Sequence, residues 1–195
     1  MGIHEREHLE ARSAEELIAW LELNHESSDG LWVVTHKKAS GVPAPTYDEI
    51  VRAILCFGWV DSVPGRVDEL RTKLYVSPRK PKSPWSQSNK QRVAELLEAG
   101  LMRPAGLSRI EEAKATGMWT VIDSAQNAEI PDDLAHALAG LPPARQYWDA
   151  FPKGIRKQIL EWISLAKTEA TREKRIVETA TLAQQNIRAN QWRKQ

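Results

Sequence analysis

The sequence predicts an α+β fold, with a small antiparallel sheet and two helices in the N-terminal half and an all-helical C-terminal half. In the first half, short β-branched and aromatic runs alternate with turn residues, and two amphipathic segments follow helix-capping patterns. After the prolines at residues 78, 81 and 84, apolar residues recur with a helical period. With 195 residues, 42% of them hydrophobic, the chain can bury a substantial core.

Capping patterns predict where the two helices of the first half begin. Ser13 is followed three residues later by a glutamate, which predicts a helix that runs to about His25. Thr46 begins the same pattern and predicts a second helix that ends near Gly58. In both patterns the hydroxyl and the carboxylate satisfy N–H groups that have no partner in the first helical turn.

Three segments rich in β-branched and aromatic residues predict the strands of the sheet. They are residues 31–35, 59–63 and 73–77. The dipeptide Pro64-Gly65 predicts a hairpin turn between the last two strands. Residues 1–77 are therefore expected to form one α+β unit.

Helical periodicity predicts that residues 86–190 form the second, helical region. The periodic segments are residues 92–99, 108–116, 133–139, 155–166 and a last one from about residue 168. Four glycines between them are expected as helix C-caps, at Gly100, Gly106, Gly117 and Gly140. Residues 78–85 form a proline-rich basic link between the two regions.

Composition and charge exclude several classes of protein. No apolar run approaches the roughly 20 residues that cross a bilayer, so no membrane span is expected. The N-terminal residues show no secretory signal pattern, and the single cysteine, Cys56, cannot form an intrachain disulfide, so the cytoplasm is the expected location. A net charge of +1 argues against a dedicated nucleic-acid binder, although the cations of the link keep nucleic-acid binding as an alternative.

The basic link is the candidate ligand site. Arg79, Lys80 and Lys82 precede a helix that is expected to begin near Ser86, and a helix N-terminus offers free N–H groups and partial positive charge. We expect an anionic small molecule or a peptide to bind there, in a cleft between the two halves. The predicted ligand-binding residues are Arg79, Lys80, Lys82, Ser86, Trp85, Trp59, Asp61, Lys167, Arg172 and Arg175. The alternative is that the link only joins the halves, with its cations paired to the acidic first helix.

Metal binding is a second hypothesis. Carboxylates at neighbouring positions of the first helix suit a hard cation or iron, but they also suit a solvated helix face. They are Glu15, Glu16, Glu22 and Glu26. Residues 4–8 match the zinc-protease pattern H-E-x-x-H, which we reject because few apolar residues surround it to hold a rigid site. No cofactor is expected.

An enzyme of unknown reaction is a third hypothesis, with Cys56 or Asp61 as the reactive group. A nucleophilic thiol needs a neighbouring base, and the sequence places no histidine beside Cys56. Free cysteine is among the most buried residue types, so a core position is favoured. We expect a binding protein rather than an enzyme.

Three separated segments resemble a known family: residues 30–41 (GLWVVTHKKASG), 56–62 (CFGWVDS) and 78–86 (PRKPKSPWS). Together with residues 100–106 and 159–176, they resemble the YdeI/OmpD-associated bacteriocin-protection family. The resemblance implies an uncharacterised bacterial protein of the stress or bacteriocin-resistance type. It also implies that the first half is similar to the YjbR/CyaY-like group, whose frataxin-like association favours iron handling. No catalytic or metal-ligating residue follows from it.

Overall fold

The computed structural model describes residues 5–191 and shows the predicted α+β fold class. The strands are β1 (His8–Glu10), β2 (Leu31–His36), β3 (Trp59–Arg66) and β4 (Arg71–Pro78). The helices are α1 (Ala14–Asn24), α2 (Tyr47–Cys56), α3 (Gln87–Glu98), α4 (Pro104–Ala115), α5 (Asp123–Gln126), α6 (Asp132–Ala139), α7 (Ala144–Ala150), α8 (Lys153–Ser164) and α9 (Glu169–Gln184). A short 3-10 helix, Lys38–Ser40, follows β2.

Contacts within the chain define two compact units. Unit 1 comprises the described residues up to 83 together with residues 88–116, and it holds the sheet and α1, α2 and α4 with nearly all of α3. Unit 2 comprises residues 84–87 and the described residues from 117 onward, and it is helical. The sequence-based division at residues 77 and 86 stays a prediction.

The sheet of unit 1 has the strand order β1-β2-β4-β3. β4 pairs antiparallel with both β2 and β3, as predicted. β1 was not predicted; it pairs parallel with β2, and His8 lies opposite Trp32. Trp32 on β2 and Trp59 on β3 are each 1% exposed, so the sheet contributes large aromatic side chains to the core of unit 1.

The predicted hairpin turn at Pro64-Gly65 is wrong. Both residues lie inside β3, with Pro64 opposite Leu74. The chain turns at residues 67–70 instead, where the Asp68 carboxylate accepts hydrogen bonds from two backbone N–H groups at 2.8 and 2.9 Å. Proline lacks an N–H, but β3 is an edge strand and its register shifts next to Pro64, so no interior hydrogen bond is lost.

The predicted helix starts are confirmed at both capping patterns. The Ser13 hydroxyl accepts a hydrogen bond from the backbone of the first turn of α1, and Thr46 and Glu49 form a complete capping box at α2. α5 and α7 were not predicted, because helices of 4 and 7 residues are too short for a clear periodicity.

Gly106 is inside α4, so its predicted role as a C-cap is wrong. α4 begins four residues earlier than its periodicity suggests because Pro104 is accepted at a first helical position, where no N–H is needed. A Cβ atom at Gly106 would lie 2.3 Å from the carbonyl oxygen of Cys56. The glycine therefore lets α4 pack directly on the end of α2. The other three glycines follow helices, as predicted.

The core of unit 2 is built from helices alone. Leu134, Leu138, Trp148 and Ile159 are completely buried in it, at 0% exposure. Within residues 5–191, no helix combines the length and the apolar character that a membrane crossing requires.

Candidate ligand-binding pockets

The predicted ligand-binding residues fall in both units. Unit 1 holds Trp59, Asp61, Arg79, Lys80 and Lys82, and unit 2 holds Trp85, Ser86, Lys167, Arg172 and Arg175. Each unit is therefore a separate candidate for a site.

Arg79 anchors the basic link within unit 1. Its side chain is buried, with 3% of the residue exposed, and its guanidinium donates a hydrogen bond to the Ser83 hydroxyl at 3.3 Å. Burial lowers the pKa of Arg79 to about 10, and the charge of Asp61 opposes this shift. Lys80 and Lys82 are exposed. Of the three predicted cations, the two lysines are the ones open to solvent.

Trp59 lines a pocket of about 430 Å³ in unit 1, here named the Trp59 pocket. The Trp59 indole packs edge-on against Trp20, with ring centroids 5.9 Å apart, so the ring is held in place. Phe57 and Pro78 also line the pocket. Since Pro78 is the last residue of β4, the pocket lies where the basic link leaves the sheet.

Arg109 on α4 supplies a cation to the Trp59 pocket. Its guanidinium donates to the Glu112 carboxylate at 2.8 Å, and its side chain remains 39% exposed. Gly58 has a positive φ of 72°, and a Cβ atom there would lie 2.6 Å from Cγ of Arg109. Glycine at position 58 therefore allows the Arg109 stem to pack against the backbone. Sequence reasoning missed Arg109 because an arginine in a polar helix resembles an ordinary surface residue.

The rest of the Trp59 pocket combines hydrogen-bond donors and acceptors. Nδ1 of His25 donates to the carbonyl oxygen of Leu21 at 2.8 Å, which fixes the imidazole ring. Nε2 of His25 lies 3.8 Å from the exposed carboxylate of Glu26. Asp29 lines the pocket as well and pairs with Arg6 at 3.2 Å. The pocket thus presents both positive and negative side chains.

Two of the three predicted cations in unit 2, Arg172 and Arg175, bind other groups of the protein. Arg172 on α9 lines a second pocket, of about 290 Å³, and donates two hydrogen bonds to Asp133 at 2.8 and 3.1 Å. Arg175 donates to the carbonyl oxygen of Trp162 and lies over its ring, 4.8 Å from the centroid. Lys167 is exposed. The bidentate pair neutralises the charge that Arg172 would offer an anion.

Some of the groups at the start of α3 already have partners within unit 2. Trp85 is completely buried and packs on Trp119, with ring centroids 5.0 Å apart, and Ser86 is half-buried beside it. The backbone N–H of Gln87 donates to the side-chain oxygen of Gln126 at 2.6 Å. One of the N–H groups that the sequence offered to an anion therefore already has a protein acceptor.

The metal hypothesis has limited structural backing. In the described part of the chain, no three His, Cys, Asp or Glu side chains are grouped so that they could hold a metal ion. Glu22 accepts a hydrogen bond from Arg103 at 2.8 Å, and Glu16 accepts one from the backbone N–H of Arg12 at 2.8 Å. In the H-E-x-x-H pattern, the second histidine lies in β1 and the first, His4, lies outside the described residues.

The two candidate reactive groups of the enzyme hypothesis, Cys56 and Asp61, lie in different surroundings. Burial raises the pKa of the Cys56 thiol, which disfavours the thiolate that a nucleophile requires. The carboxylate of Asp61 accepts a hydrogen bond from the Tyr47 hydroxyl at 2.9 Å. The pKa of Tyr47 is raised by burial and by this contact.

Comparisons with known families divide the chain in two. Residues 127–186 match the family described as Bacteriocin-protection, YdeI or OmpD-Associated, which supports that part of the resemblance. The implied similarity of the first half to the YjbR/CyaY-like group is not supported, because residues 9–109 match a different family model. No curated protein and no solved structure matches the chain significantly. Since the match over residues 9–109 spans more than half of the chain, the protein belongs to the family described as Domain of unknown function (DUF8412).

Proposed function

We propose that the protein binds an anionic or peptide-like ligand in the Trp59 pocket and acts in bacteriocin protection or a related stress response in the cytoplasm. The observation that carries the proposal is the position of the pocket at the start of the basic link, with Trp59 and Arg109 both in its lining. The description of the family matched by residues 127–186 supports the protective role.

The chemistry of the pocket favours a peptide-like ligand over a simple anion. Arg109 suits a carboxylate or a backbone carbonyl, while Glu26 and Asp29 suit N–H groups or an ammonium. Pro78 and Ala105, which line the pocket and are half-buried, offer apolar surface to a side chain. A volume of about 430 Å³ is within the range of roughly 300–1,000 Å³ that is usual for ligand pockets.

The basic link contributes at longer range. Lys80 and Lys82 are exposed and lie within four residues of Pro78, so their charge favours the approach of an anion to the pocket. Arg79 has a different role in this proposal. It is buried, and its backbone N–H donates to the carbonyl oxygen of Gly58 at 3.0 Å, so it holds the link against the pocket wall.

A short peptide tests the proposal. Titration calorimetry with the tripeptide Ala-Ala-Phe is expected to show binding that weakens roughly tenfold in Arg109→Gln, because a charged hydrogen bond to the carboxylate is lost. Arg145→Gln is the matched control, since Arg145 is an exposed arginine of α7 that pairs only with Asp149 among the described residues. Equal affinity of the wild type, both variants and the peptide carboxamide would contradict the proposed pocket.

A further inference from the structure

We infer that a second pocket of unit 1 binds an amphipathic organic cation, meaning an amine or quaternary ammonium that carries a compact apolar body. This pocket, here named the Cys56 pocket, has a volume of about 300 Å³. It shares Phe57 with the Trp59 pocket, and its other lining residues are different. No predicted ligand-binding residue lies in it.

The interior of the Cys56 pocket is apolar. Ile18 of α1, Ala53 of α2 and Leu96 of α3 line it, and Leu101 lies beside them with half of its surface exposed. The Cys56 thiol lines the same pocket and is 7% exposed. Because burial raises its pKa, the thiol is neutral at pH 7 and adds no charge. The pocket therefore favours an apolar group taken from water.

The rim of the Cys56 pocket carries carboxylates that have no cationic partner. Glu15 of α1 and Glu49 of α2 both line it, and among the described residues neither forms an ion pair. Hydrogen bonds from Thr46 lower the pKa of Glu49, and the nearby charge of Glu15 opposes that shift. The two carboxylates line the same pocket, and because the pKa of each is lowered, both are ionised at pH 7.

Each arginine of the rim is ion-paired with at least one protein carboxylate, which offsets its positive charge. Arg52 pairs with Asp48 at 2.6 Å and also with Glu95. Arg103 pairs with Glu22 at 2.7 Å. The net charge around the opening is therefore negative. An apolar body in the interior and a cationic head between Glu15 and Glu49 satisfy both features at once.

Two probes of the same shape distinguish the contribution of the charge to the affinity from the contribution of the apolar body. Titration calorimetry of the full chain is expected to show that phenethylamine, a cation at pH 7, binds at least tenfold more tightly than 2-phenylethanol. Glu15→Gln should remove most of that difference without changing the affinity for the alcohol. Equal affinity for the two probes, or no binding of either, would overturn the inference.

A pair of tryptophan substitutions locates the binding. Ala99 lines the pocket and is exposed, so Ala99→Trp should block the opening and abolish phenethylamine binding. Leu97→Trp is the matched control, since Leu97 is 47% exposed but does not line the pocket. A melting curve shows whether each variant is folded. Equal binding by the two variants would place the amine elsewhere.

Cys56 provides a second readout as the single cysteine of the chain. Bound phenethylamine should slow its modification by methyl methanethiosulfonate in the wild type and in Leu97→Trp. The Arg109→Gln variant should behave like the wild type in this experiment, because Arg109 does not line the Cys56 pocket. The failure of one proposal is thereby distinguished from the failure of the other. Unchanged modification rates in the wild type would also count against the inference.

Discussion

Unit 1 and unit 2 are stabilised in different ways. Unit 2 is built on a helical cluster of aliphatic and aromatic side chains, and Asp133 is its one described carboxyl group with a lowered pKa. Unit 1 adds a web of hydrogen-bonded carboxylates with lowered pKa values: Glu10, Glu15, Asp48, Glu49, Asp68 and Glu95. The Trp59 pocket and the Cys56 pocket both lie in unit 1, which holds these carboxylates. Stability and binding are therefore expected to respond to pH in unit 1 far more than in unit 2.

The largest contrast between the units should come from two glycines. Gly106→Ala is expected to destabilise unit 1 by about 3 kcal/mol, because the new methyl group meets the backbone of Cys56 at 2.3 Å and α4 must move. Gly154→Ala in α8 is expected to stabilise unit 2 by about 0.5 kcal/mol, because alanine is the better helix former. A Cβ atom at Gly154 would meet no atom within 4 Å.

Urea unfolding followed by peptide-resolved hydrogen exchange measures both glycine effects in the full chain. In Gly106→Ala, faster exchange is expected in α2 and α4. Similar stability changes for the two variants would show that α4 does not pack on α2 as closely as described.

The second-largest contrast between the units should be their sensitivity to acid. A carboxyl group with a depressed folded-state pKa stabilises the fold above its unfolded pKa, and this contribution is lost as the pH falls through the folded value. The ordinary values are 3.8 for aspartate and 4.5 for glutamate, so the loss begins below about pH 4.5. Between pH 5 and pH 3, protection from hydrogen exchange, measured relative to the intrinsic exchange rate at each pH, should be lost in unit 1 before it is lost in unit 2.

The Arg52→Met variant tests whether the ion-paired carboxylates of unit 1 cause its sensitivity to acid. The substitution removes the partner of Asp48 and Glu95, so stability at pH 7 should fall and its dependence on pH should flatten. Arg145→Met breaks an exposed ion pair in unit 2, and it should change neither the stability at pH 7 nor the dependence of stability on pH. Loss of unit 2 before unit 1 on acidification would reverse the proposed contrast.

Helix caps should produce the smallest contrast. Thr46→Ala removes the hydroxyl of a capping box in unit 1, which accepts a hydrogen bond from the Glu49 N–H and donates one to the Glu49 carboxylate, and should cost about 1 kcal/mol. Thr168→Ala removes a single hydroxyl cap at α9 in unit 2, where the hydroxyl accepts from Thr171 at 3.1 Å, and should cost less. Thermal unfolding of the two variants compares them. An equal or larger loss in Thr168→Ala would mean that the hydrogen bond from the Thr46 hydroxyl to the Glu49 carboxylate contributes nothing.

Local chemistry explains which elements of the fold were predictable. Thr46 and Ser13 act on their own first helical turns, so their patterns identify helix starts without tertiary information. β1 has the sequence HLE, which carries no β-branched residue, and it becomes a strand only through its contact with β2. Pro64-Gly65 is usually a turn, and only the edge position of β3 allows it inside a strand.

The pockets were less predictable than the fold because their walls come from distant segments. Trp59 was predicted as a pocket residue and does line one, but Arg109 reaches the same pocket from 50 positions further along the chain. The signal that could have identified it is Gly58, a glycine whose positive φ accompanies a close approach by another side chain. The Cys56 pocket has no continuous motif, since its lining residues come from α1, α2, α3 and the segment that follows α3.

The edges of the sheet also have a consequence for how the chain behaves in a crowded solution. A long regular edge strand offers free backbone groups to neighbouring molecules and promotes fibril growth. Here one edge, β1, is three residues long, and the other, β3, is interrupted by Pro64 and a change of register. Each edge is therefore a poor template for strand addition. An aromatic-rich sheet with such edges can persist at high concentration without recruiting further copies into aggregates.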